Sequence, residues 1–211
     1  MKLLRHLAPL AFGIAALAPA HANPFANGGF ESPGSPPDYS ALGPGSTYIT
    51  DWTTILTGVE YFRPAAFPGL GTAIEGVMVV DLANTTNSSG GIEQTFDTTP
   101  LQQYTLTFSA GNSTFSGRTG DGTVNVQVGN LTTSVATATA TGTPIEWKPI
   151  ALTFTALTSA TTLSFSNTQD SFTHFAFIDA VGVSAVPEPQ TVALMLAGLA
   201  VVGTVARRRR G

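Results

Sequence analysis

Through most of residues 23–185 apolar and polar side chains take turns with a period of two, and that alternation limits the fold more than any other feature of the chain. Tyr104, Leu106 and Phe108 alternate with Thr105, Thr107 and Ser109, and Val124, Val126 and Val128 with Thr123, Asn125 and Gln127. Ile150, Leu152 and Phe154 repeat the pattern, as do Leu163 with Phe165 and Phe175 with Phe177. Successive side chains of a strand point to opposite faces, so each run dries one face and wets the other. β-Branched residues, Phe and Thr fill the runs, and turn residues separate them; Gly129-Asn130 leads one run into Leu131–Ala136. The stretches 32–45, 84–91 and 112–122 have loop composition, and 132–143 reads as a solvent-facing strand or a loop. No window ahead of the C-terminal tail has amphipathic helical spacing. Half-wet strands bury their dry faces against a second layer, so the sequence predicts an all-β antiparallel sandwich or barrel.

The two ends are of another kind. Residues 1–22 place Lys2 and Arg5 before an apolar stretch, Leu7 to Leu17, and finish on Ala20-His21-Ala22, a small-x-small site for signal peptidase. This predicts an N-terminal signal helix over 1–22 and a folded domain over 23–185. Residues 186–211 read Val-Pro-Glu-Pro, then an apolar run from Val192 to Ala206, then Arg207, Arg208, Arg209 and Arg210. Pro187 and Pro189 fix φ and end the last strand. The apolar run has 15 residues, whereas a helix crossing a bilayer needs about 20. The arginines hold their end on the cytoplasmic side. A short C-terminal hydrophobic helix stopped by charge suits a transient inner-membrane span.

Between the ends only Arg63, Arg118 and Lys148 are basic, against twelve carboxylates, a net charge of −9. Such a surface repels phosphate backbones, which excludes nucleic acid as a partner. The chain has no cysteine, so disulfides, thiolate metal sites and a Cys nucleophile are excluded. Beyond the signal segment the only histidine is His174, and no Gly-x-Ser-x-Gly elbow accompanies it, so it reads as a polar residue leading into the last strand. Glu60, Glu75, Asp81 and Glu93 are candidate carboxylates for glycoside hydrolysis, which needs two of them roughly 5–10 Å apart across a cleft. Sugar binding needs less: an aromatic face for the ring and polar groups for the hydroxyls. Trp52, Tyr61 and Phe62 beside Glu60 and Arg63 form the best local cluster, with Tyr39, Tyr48 and Trp147 in reserve. Trp52 and Tyr61 fit equally well as core residues.

The order Pro-Glu-Pro (187–189), short apolar helix and terminal arginines resembles the PEP-CTERM sorting signal of Gram-negative bacteria. The resemblance implies recognition by an exosortase, a membrane protease-transpeptidase that cuts near the Pro-Glu-Pro. Asn27-Gly28-Gly29-Phe30-Glu31, Trp52, Gly58-Val59-Glu60-Tyr61, Val80-Asp81-Leu82, the run Gly90 to Phe96, Tyr104 to Phe108 and Phe177 to Val183 follow in order. Together they resemble the domain of unknown function 642 family and, more loosely, galactose-binding-like jelly-roll carbohydrate-binding modules. The family's closing Asp-Asn-Val is Asp179-Ala180-Val181 here. The resemblance implies a jelly roll and a structural calcium held by Glu31 and Asp179, a choice of hard oxygen ligands that suits that ion. The reading is an exported cell-surface or extracellular-matrix protein that binds or organises surface polysaccharide without catalysis. Trp52, Glu60, Tyr61 and Arg63 are its expected ligand contacts, and signal peptidase and exosortase its partners in export. The alternatives are a purely structural surface protein with protein partners and, third, a glycoside hydrolase.

Overall fold

A computed structural model describes residues 23–33, 37–83 and 89–187, with single positions in the tail beyond. The expected signal helix over 1–22, most of the expected C-terminal helix, and the sorting residues Glu188, Pro189, Arg207, Arg209 and Arg210 lie outside the described residues. Among the described residues no helix is long and apolar enough to cross a membrane. The strands, in chain order, are β1 (Tyr39–Leu42), β2 (Thr53–Leu56), β3 (Val59–Phe62), β4 (Val79–Asp81), β5 (Gly90–Asp97), β6 (Gln103–Asn112), β7 (Thr123–Val128), β8 (Leu131–Ala136), β9 (Glu146–Thr155), β10 (Ala160–Asn167) and β11 (Phe177–Ala185).

They form two antiparallel sheets, a six-stranded one ordered β1-β3-β4-β11-β6-β9 and a five-stranded one ordered β2-β5-β10-β7-β8. The sheets stack as a sandwich, one of the two outcomes the alternation allows, and of the jelly-roll type that the resemblance implies. Tyr61, Val80, Leu106, Phe108 and Ile178 face inward from one sheet, and Ile92, Phe96, Val126, Leu163 and Phe165 from the other. The stretch 132–143 divides: Leu131–Ala136 is an edge strand and irregular chain follows.

The opening and closing motifs of the domain touch. Val181 donates its N–H to the Gly28 carbonyl (2.9 Å), and a Cβ on Gly28 would overlap the Val181 carbonyl. Side-chain absence lets the two backbones approach there. The contact is made at a bulge between Asp179 and Gly182, where β11 slips against β6 and Ala180 takes φ 53°. The extra residue re-aims the strand, so Asp179 points to the outer face of the six-stranded sheet while Val181 returns to the core.

That outer face is largely covered. The segment 63–78 crosses it and, with Phe62, Val79, Ile145, Phe175 and Phe177, seals a second, smaller apolar cluster through Leu70 and Phe67. Sheet pairing lines up Ala41, Glu60, Asp81, Phe177, Gly111 and Trp147 as one row across the six strands.

Candidate functional site

Two carboxylates hold the covering segment in place. Asp179 Oδ2 accepts the N–H groups of Ile74 (2.7 Å) and Glu75 (3.0 Å), and Oδ1 accepts that of Ala180 (2.6 Å). Glu31 Oε1 accepts those of Val77 and Met78, each at 2.8 Å. Burial of Asp179 raises its carboxyl to about 6 even though the three N–H bonds favour the ionised form. These are the residues expected to share a calcium. Three of their four oxygens are turned to N–H hydrogens, whereas calcium needs six to eight oxygens around it, so as arranged they do not fit that ion. Among the described residues no group of three or more acidic or histidine side chains is placed to hold a metal.

The segment so held walls a cavity of about 190 Å³ on the outer face of the six-stranded sheet. Phe62 and Glu60 form its floor on β3, Tyr39 stands beside them on β1, and Phe67 and Leu70 come from the covering segment. Phe115, Arg118 and Phe175 close the other side. Buried Asn112, at the end of β6, sets that side. Its Oδ1 accepts the N–H groups of Ser113 (2.9 Å) and Phe175 (3.1 Å), and its Nδ2 donates to Gly120 O (3.0 Å). The Arg118 guanidinium lies 3.9 Å from the Phe175 ring centre, and its Nε donates to Ser171 O (2.7 Å). Its position is therefore fixed by a cation–π contact and a hydrogen bond together.

Charge in the cavity is tuned by burial. Glu60 is half-buried, and burial raises its carboxyl against the hydrogen bond from Tyr39 and the charge of Arg118. The Tyr39 phenol is pushed up to about 12, first by its own burial and then by the Glu60 charge. Asp81, the ladder neighbour of Glu60, is 2% exposed. Burial, and after it the Glu60 charge, raises it to about 8, so at neutral pH it holds its proton and accepts Ala176 N–H at 3.3 Å. The result is a pocket with aromatic walls, one carboxylate acceptor, one guanidinium donor and a phenol. It can cover the apolar face of a sugar ring and meet its hydroxyls.

Of the expected ligand contacts only Glu60 lines this cavity. Trp52 (1% exposed) and Tyr61 (0%) are core residues, which corrects the expectation that they stack on sugar. Trp52 packs against Phe25, Phe30 and Phe165 and donates Nε1–H to Asn27 O (2.9 Å), and Tyr61 donates its hydroxyl to Phe30 O (2.6 Å). Arg63 pairs with Asp38 at 3.6 Å at one end of the β1–β3 strand pair and is no part of the lining. Reserve Tyr39 does line it. Of the carboxylates considered for hydrolysis, Glu75 sits in the held segment and Glu93 on the other sheet, while Asp81 stands beside Glu60 in the ladder but is buried and does not line the cavity. Phe67, Phe115, Arg118 and Phe175 escaped the sequence reading. The one signal for them was Arg118, a rare cation in an acidic domain.

A family model described as "Protein of unknown function (DUF642)" matches residues 23–184, and one for the PEP-CTERM protein-sorting motif matches residues 185–210. No curated protein matches the sequence. Similar solved structures include one described as "CBM4 structure and function", at 17% identity and TM-score 0.43, covering 76% of this chain and 99% of that one. Another is TmCBM61 in complex with beta-1,4-galactotriose, at 18% identity and TM-score 0.43, covering 78% and 99%. A third is the arabinose-bound α-L-arabinofuranosidase MgGH51, at 10% identity and TM-score 0.47, covering 78% and 26%. At such identities the likeness is one of fold alone.

Proposed function

The chain belongs to the DUF642 family and carries a PEP-CTERM sorting signal for export to the cell envelope or surface, and on that premise we propose that it is a non-catalytic glycan-binding protein of the bacterial surface or extracellular matrix. The observation that carries this reading is the Glu60–Arg118 cavity. Its volume suits one pyranose unit, its walls are aromatic, and its charged groups sit where ring hydroxyls would reach them. Only one carboxylate lines it, where hydrolysis needs two flanking the bond, so the cavity favours holding a sugar over cutting it. The sorting signal implies exosortase as the partner that processes the tail.

The test is a glycan array and titration calorimetry on the purified protein, alongside Arg118→Ala and Glu60→Gln. Saturable binding, weakened at least tenfold in both variants with melting unchanged, is the expected result. A folded protein that binds no glycan, or binds equally well without either side chain, removes the proposal. Release of reducing sugar would replace it with the hydrolase reading.

A further inference from the structure

The outer face of the five-stranded sheet carries a second arrangement of polar groups. Ladder pairing sets Thr53, Glu93, Ser164, Gln127 and Thr132 in one row, one residue from each of β2, β5, β10, β7 and β8. Each projects away from the core, because its neighbours along the strand, such as Ile92, Val126 and Leu163, are buried. The middle of the row, Glu93, Ser164 and Gln127, lines a groove of about 320 Å³ bounded by Leu157 and Thr158 of the β9–β10 turn. Neighbouring strands stand about 4.8 Å apart, close to the length of one pyranose unit in an extended chain. A linear glycan laid across the strands would therefore meet one acceptor or donor per unit. The side chains flanking the row are already oriented: Thr95 and Thr162 share a hydrogen bond of 2.7 Å, and Ser134 donates to Asn125 at 2.6 Å. No aromatic or cationic residue stands at an outward position of these strands.

We infer that this groove is a second glycan site, for the flank of a neutral, hydroxyl-rich chain, and that the protein cross-links polysaccharide by holding one chain on each outer face of the sandwich. The inference rests on the reading of the Glu60–Arg118 cavity as a sugar site. The two sheets stack face to face, so their outer faces point in opposite directions and both sites can be filled at once. Lacking an aromatic platform, the groove binds weakly alone and gains through linkage to the stronger site. Glu93 turns away uronate chains.

The experiment uses the full chain in mild detergent, with cellohexaose, xylohexaose and mannohexaose as calorimetric probes and the parent polysaccharides for turbidity. Two sites per chain and turbid cross-linked polysaccharide are expected. Glu93→Ala combined with Gln127→Ala, and separately Ser164→Tyr, which fills the groove, should each leave one site and lower turbidity at least tenfold. A single site per chain, abolished by Arg118→Ala and indifferent to the groove variants, overturns cross-linking while leaving the cavity reading intact. Failure to bind any probe overturns both.

Discussion

Ala180 occupies the left-handed region at φ 53°, in the bulge that joins the closing motif to Gly28. An L-residue with a Cβ pays roughly 1–2 kcal/mol there, whereas Asn and Gly enter it readily. Ala180→Asn or Ala180→Gly should therefore raise stability by about 1 kcal/mol, read from the urea midpoint. Asp81 makes a pH prediction. Its carboxyl titrates near 3.8 when free and at about 8 when folded, so between these values the folded protein holds a proton that the unfolded chain has lost. Its contribution is full below about pH 4 and falls as pH rises, until it is gone above about pH 8. Relative to Asp81→Asn, the wild type should lose up to about 1.4 kcal/mol per pH unit across that window; parallel stability curves would refute it. Trp52→Ala should cost about 3–5 kcal/mol in chemical denaturation, the figure for emptying a large core site. Residue type alone left Trp52 and Tyr61 divided between core and binding face. Their hydrogen bonds to Asn27 O and Phe30 O, some thirty residues away in sequence, are what decide it.

At the scale of elements, the covering segment 63–78 is a wall with a fastening. Asp179→Asn turns an amide NH2 towards backbone N–H groups, and Glu31→Ala removes the acceptor of the Val77 and Met78 N–H groups, a loss of about 1–3 kcal/mol apiece. Because Phe67 and Leu70 ride on the same segment, both variants should also weaken sugar binding. A chelator should leave the melting temperature of the wild type unchanged, and a fall on chelation would restore the calcium reading. The strands were legible in sequence because alternation is local, and Gly129-Asn130 announced the β7–β8 hairpin. The covering segment was not. Pro64, Pro68, Gly69 and Gly71 mark it as a connection, but what it covers depends on contacts with Asp179 about a hundred residues away. The aromatic walls escaped for the same reason, since Phe67, Phe115 and Phe175 lie in three separate loops and meet only in the fold.

Across the whole molecule, the two ends of the sandwich differ. Asn23 is tied to the far end of β5 through Thr95 and Asp97, and Val186 to Gln102 and Gln103 at the start of β6. Asn23 and Val186 thus both lie beside the single connection between β5 and β6. Cleavage after Pro187 removes none of these bonds, so the cut protein should melt and bind as the uncut one does; a lower melting temperature would show the tail to be structural. The cavity row crosses β6 at Gly111, eight residues beyond Gln103 and so about 26 Å up the strand. A protein moored by its tail would carry its sugar cavity at the top of a mast. It could catch its ligand while still in dock, and the exosortase would then be releasing cargo together with carrier.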